Sequence, residues 1–113
     1  MNYDEYIEEA RKYSSDEIVA RLESHLINWK SDNTNAVELA DSIERFFGNF
    51  WITSEETHRR LYKLWFSFKA EAISCIGGMT MNERLYWFGL FERYESASEA
   101  EQQVIYAKLC ANT

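Results

Sequence analysis

The chain has 113 residues, 46% hydrophobic, 16% aromatic and 27% charged, and its 19 acids against 12 bases give a net charge of −7. That apolar content excludes a disordered polymer, and the length suits one ordinary domain that buries about two thirds of its unfolded surface. No apolar run approaches the roughly 18–20 residues of a membrane helix, and the acidic opening MNYDEYIEEA lacks the apolar stretch of a secretory signal, so a cytoplasmic protein is expected, in the host cytoplasm if a phage encodes it.

In chain order, six pairs of a capping residue and a Glu three positions on mark helix starts: Asn2/Glu5, Ser14/Glu17, Asn35/Glu38, Thr53/Glu56, Thr80/Glu83 and Ser96/Glu99. In such a box the first side chain accepts from an orphan amide of the opening turn and the Glu reaches back to the cap's own amide. After Ser14, Ile18, Leu22, His25, Leu26 and Trp29 recur at three- and four-residue steps. After Asn35, Leu39, Ala40, Ile43, Phe46 and Phe47 do the same, so each set marks one apolar helix face. Gly48 reads as a left-handed stop, and Phe50, Trp51 and Ile52 as an apolar corner before the next start.

The longest predicted element runs from about Ser54 to about Cys75 and ends at Gly77-Gly78. Leu61, Leu64, Trp65, Phe68, Ala72 and Ile76 form its stripe, which Tyr62, Phe66 and Ile73 widen, so this helix is expected at the centre. Thr80 then opens a helix with Leu85, Trp87, Phe88, Leu90, Phe91 and Tyr94, interrupted by Gly89. Ser96 opens a last helix with Ala100, Val104, Ala107 and Ala111 on one side. No proline, repeat or low-complexity segment marks a linker. The predicted fold is an all-α compact bundle of five or six helices, one domain over residues 1–113, around the central helix at about 54–75.

Motifs for chemistry are sparse. Glu55 and His58 have the i, i+3 spacing of helical di-iron sites, but the other histidine, His25, has Leu22 three residues before it, so the second half of such a site is missing. Helix-start carboxylate and surface histidine are the simpler roles. Cys75 and Cys110 show no paired zinc spacing and are expected as reduced, partly buried thiols. His25, on an apolar stripe, is expected as a hydrogen-bonded core residue, and Ser24 beside it points about 100° away. No phosphate loop or nucleophile elbow occurs, and no metal or cofactor is expected.

The charge is uneven. Residues 1–56 carry 13 acids and 5 bases, whereas residues 57–113 carry 6 acids and 7 bases. Asp4, Glu5, Glu8, Glu9, Asp16, Glu17, Glu38, Asp41 and Glu44 are the candidate partner-binding residues, several of which also complement helix N-termini. An acidic surface with aromatic anchors fits a basic protein partner, such as a nuclease or nucleic-acid-binding protein, that is inhibited stoichiometrically without chemistry. In size, charge and lack of motifs the chain is similar in type to small acidic inhibitors such as anti-CRISPR and toxin-immunity proteins, a resemblance that transfers no sites.

Two other functions compete. Arg59, Arg60, Lys63 and Lys69 interleave with Tyr62, Trp65, Phe66 and Phe68, the composition of a nucleic-acid-binding helix. Helical periodicity accounts for those aromatics as core, and the net charge opposes phosphate binding, so neither direct nucleic-acid contact nor membrane association is expected. A metal-dependent enzyme built on Glu55 and His58 is the third reading.

Overall fold

Short polar side chains fix the helix boundaries. The computed structural model describes residues 1–110, which form α1 (Tyr3–Arg11), α2 (Glu17–Trp29), α3 (Ala36–Asn49), α4 (Glu55–Phe68), α5 (Met81–Phe88), α6 (Phe91–Glu95) and α7 (Glu99–Lys108). A π-helical turn, Lys69–Ile73, continues α4, and a 3-10 turn, Ile76–Gly78, follows it. No strand occurs among the described residues, so the class is all-α, with more helices than the five or six predicted. Among the described residues no helix is long and apolar enough to cross a membrane.

Three of the predicted capping boxes form as read: Asn2/Glu5, Asn35/Glu38 and Thr80/Glu83. The other three starts lie one or two residues later, at Asp16, Ser54 and Ser98. The reason is competition for the hydroxyls. Ser14 Oγ donates to the Arg11 carbonyl and Ser96 Oγ to the Glu92 carbonyl, so each closes the preceding helix instead of opening the next. Thr53 gives its amide to Asp16, which leaves Ser54 to cap α4.

The central helix is present but not uniform. Leu61, Trp65, Phe68 and Ala72 form its buried line, and the π turn inserts the extra residue that buries Ile73 beside Ala72. Tyr62 and Phe66, expected to widen the stripe, face outward. Gly48 lies inside α3, and Phe50, not a left-handed glycine, closes that helix. Gly89 has φ +65°, so it ends α5 in the left-handed region and splits one predicted helix into α5 and α6.

Buried residues from α1 to α5, the π turn, Leu90 and α7 join in one core. Tyr3, Trp29, Trp65, Phe68 and Phe88 pack against one another at tilted angles, edge-on between Phe68 and Phe88, with centroids 5.3–6.2 Å apart. The Tyr3 and Tyr6 hydroxyls reach the carbonyls of Leu26 and Leu61, which satisfies their polar ends and ties α1 to α2 and α4. Burial raises both phenols above their ordinary range, with nearby Asp32 and Asp4 adding to the effect at Tyr3.

The last helix packs differently from its reading. Ile105 and Lys108 are its buried residues and Leu109 follows them into the core, whereas Ala100, Val104 and Ala107 face out; Ala111 lies outside the described residues. Bulkier Ile and Leu side chains outcompete a stripe of alanines for the core. Lys108, only 2% exposed, lies 4.1 Å over the Trp29 ring and donates to the Asp32 carboxylate and the carbonyls of Asp32 and Thr34. It thereby clamps the α2–α3 loop.

Candidate partner-binding surface

The acidic residues singled out in the sequence are mostly engaged within the chain. Asp4 pairs with Lys30, Glu8 with Arg11, Glu17 with Arg21 and Glu44 with Lys69. Glu5 and Glu38 complete capping boxes. Glu9, only 7% exposed, takes Lys12 at 3.0 Å and Arg60 at 2.8 Å. Its hydrogen bonds from Lys12 and Arg60 hold its carboxyl below the ordinary range against the opposing effect of burial.

Asp16 serves two elements. One oxygen accepts from the amides of Ile18 and Val19 at the start of α2, and the other accepts from Thr53 before α4, at 3.0 Å. Burial alone would raise this carboxyl, but the amides of Ile18, Thr53 and Val19 and the Thr53 hydroxyl outweigh it and hold it low. Asp41 is the member of the set left exposed without a hydrogen bond or ion pair among the described residues. Eight of the nine residues are therefore engaged in caps or ion pairs within the chain, although Asp4, Glu8 and Glu17 stay largely exposed.

The basic set divides in the same way. Arg59 pairs with Glu55 at 2.5 Å, Arg60 with Glu9 and Lys69 with Glu44, while Lys63 is exposed on α4. Glu55 is thus occupied by a guanidinium and not by His58. Among the described residues no three His, Cys, Asp or Glu side chains converge in a geometry that holds a metal ion.

The two histidines exchange their expected places. His25 is exposed and its Nε2 lies 2.9 Å from Ser42 Oγ, because α2 buries the line Val19, Leu22, Leu26 and Trp29 and leaves residue 25 just beside it. Ser42 Oγ also donates to the Leu39 carbonyl, so the pair is a hydrogen-bonded link between α2 and α3. His58, expected at the surface, is buried, stacked on Trp51 at 4.0 Å and met edge-on by Phe47 at 5.5 Å. Its Nδ1 accepts from the Ile52 amide, and burial lowers its proton affinity. Cys75, expected partly buried, is exposed on the turn after the π segment, whereas Cys110 is half-buried.

What the periodicity missed is an aromatic corner where α3 meets α4. Phe47 is its buried hub. Phe46 packs edge-on against Phe47 and faces Phe50 at 5.1 Å, while Tyr62 meets Phe47 edge-on at 5.5 Å. Phe50, Trp51 and Tyr62 expose their outer faces, with Trp51 63% exposed, and Phe66 lies one turn beyond Tyr62, 58% exposed. Arg21 lies 5.9 Å over the Phe50 ring. The signal was present: Tyr62 and Phe66 sit one residue after Leu61 and Trp65, about 100° off the buried line, where a narrow stripe excludes them.

A groove of about 510 Å³ lies on the α1–α2 side of this corner, lined by Tyr13, Asp16, Ile52, Thr53, Ser54 and Thr57. No protein-family model, curated protein or solved structure matches the chain.

Proposed function

We propose that the protein acts without chemistry, as a stoichiometric inhibitor that covers a basic surface of a protein partner, in the manner of anti-defence or toxin-immunity inhibitors. One observation carries the reading: four large aromatic side chains, Phe50, Trp51, Tyr62 and Phe66, stand exposed on the α3–α4 side, with Tyr62 backed by Phe47, Trp51 by His58 and Phe50 by Phe46. Rigid aromatic side chains give large contact area at low entropic cost and are the residues most often found as binding anchors. The net charge of −7 supplies the sign of the partner, since a field of that sign speeds encounter with a basic surface and repels an acidic one.

Capture from a lysate of the native host tests this, with Trp51→Ala/Phe66→Ala and Asp41→Lys variants beside the wild type. Asp41 is the acidic change of choice because it removes charge without breaking a cap or an ion pair. A basic protein held in stoichiometric amount by the wild type, released by the aromatic variant and weakened by added salt is the expected result. Equal capture by all three proteins would refute the assignment of the surface.

One observation favours the nucleic-acid reading as the second. Tyr62 and Phe66 face solvent on α4 with Arg59 and Lys63 adjoining them, the parts of a base-stacking surface. Titration with single-stranded DNA and RNA at physiological salt decides between the two. Binding that is lost in Tyr62→Ala and Lys63→Glu would transfer the function to that surface.

A further inference from the structure

The connector between α3 and α4, residues 50–54, carries Trp51, the most exposed large hydrophobic side chain among the described residues. Two consecutive connector amides are held by side chains. Ile52 N donates to His58 Nδ1 at 3.3 Å, and Thr53 N donates to Asp16 Oδ2 at 3.0 Å. A backbone carbonyl would hold such an amide at any pH. An imidazole nitrogen does so only while neutral, because protonation converts the acceptor into a donor.

The His58 ring is placed so that this change has a consequence. Its role as acceptor at Nδ1 assigns the remaining proton of the neutral ring to Nε2. Trp51 covers one face at an interplanar angle of 20°, and the Phe47 ring stands edge-on to it at 89°. A proton on Nδ1 would point at the Ile52 N–H, setting donor against donor, and would leave a buried cation.

We propose that His58 is an acid-released latch on the α3–α4 connector: its protonation drops the Ile52 amide that anchors the connector beside Trp51. The charged and titratable groups around the connector do not offset the new charge. From α2 come Asp16, already bonded to amides, and Arg21, over Phe50. From the end of α1 come Lys12 and Tyr13, which line the groove with Ile52 and Thr53. On α4 itself Glu55 is paired with Arg59, and Tyr62 packs on Phe47. The α3 helix presents Phe47. None of these groups is hydrogen-bonded to the imidazole.

The two holds release in order. Burial lowers the proton affinity of His58 from its ordinary 6.5, so the folded state binds fewer protons than the unfolded one in this range. The latch is therefore closed above about pH 6.5 and opens only as pH falls through the folded-state value of His58, which lies below that. The Asp16 carboxyl, held below its ordinary 3.8, keeps the Thr53 amide until far more acidic conditions. The latch does not depend on the proposed partner, because opening is read from the free protein.

Amide hydrogen exchange of the full chain, followed by NMR from pH 7.5 to 5 and corrected for intrinsic rates, tests it together with the imidazole nitrogen shifts. Protection of the Ile52 amide should fall by about tenfold along the His58 titration curve, the effect of roughly one hydrogen bond, while Leu22, Leu61 and Thr53 hold theirs. His58→Asn keeps a neutral acceptor near the position of Nδ1 and should flatten the response, whereas His58→Phe should leave Ile52 unprotected throughout. Should either variant fail to fold, the wild-type shifts still decide. A neutral ring protonated at Nδ1, or Ile52 protection unchanged while His58 titrates, would overturn the latch.

Discussion

Two phenylalanines two residues apart on α4 give the sharpest test of how this helix is used. Phe68 is 1% exposed and meets Tyr3, Trp65 and Phe88 with ring centroids 5.3–5.8 Å away, whereas Phe66 is 58% exposed. Phe68→Ala removes a buried ring and leaves a cavity that rigid neighbours cannot fill, at a cost of about 3–5 kcal/mol. Phe66→Ala exposes nothing new and should change stability by less than about 0.5 kcal/mol. Both substitutions place Ala at an α4 position, so the gain in helix propensity cancels in the comparison. Against a total stability of about 5–15 kcal/mol, the Phe68 loss is a large fraction, and thermal unfolding should fall by roughly 10–25 °C for a domain of this size. Urea unfolding monitored by circular dichroism measures both losses. Equal losses at the two positions, or a loss below about 1 kcal/mol at Phe68, would refute the assignment of the buried face.

Gly89→Ala should destabilise by about 1–2 kcal/mol in chemical unfolding, because φ is +65° and an added Cβ would fall on the Asp4 carboxylate that pairs with Lys30. Glu9→Gln should flatten the acid limb of the stability curve. The hydrogen bonds from Lys12 and Arg60 lower the proton affinity of Glu9 from its ordinary 4.5, so its contribution is complete above that pH and is lost as pH falls through the folded value. Unfolding at pH 7 and pH 3 should show the wild type losing more than the variant. Lys108→Met should cost about 2–4 kcal/mol and raise hydrogen exchange in residues 32–35, since it leaves carbonyls of the α2–α3 loop without their donor.

How far the sequence carried differs between elements, and the physical reasons are local. Asn2, Asn35 and Thr80 open helices as read, because a capping box is satisfied by atoms only three residues apart. The aliphatic and aromatic lines of α2, α3 and α4 also follow from spacing, since a helix fixes which residues share a face. Ser14 and Ser96 show where that reasoning stops: a hydroxyl can close one helix or open the next, and the chain around it decides. The width of a buried face is likewise a tertiary matter. Tyr62 and Phe66 were apolar enough to be core, but Phe68, Trp65 and Leu61 already fill the space against α1 and α5, so the two outer rings remain in solvent. His25 and His58 trade places for the same reason, because only the packing of α3 and the connector onto α4 creates a pocket lined by Phe47 and Trp51. The sequence alone determined the sign and amount of charge. Which acids remain free was decided by folding, as ion pairs such as Glu9 with Arg60 join residues distant in the chain and near only once the helices pack.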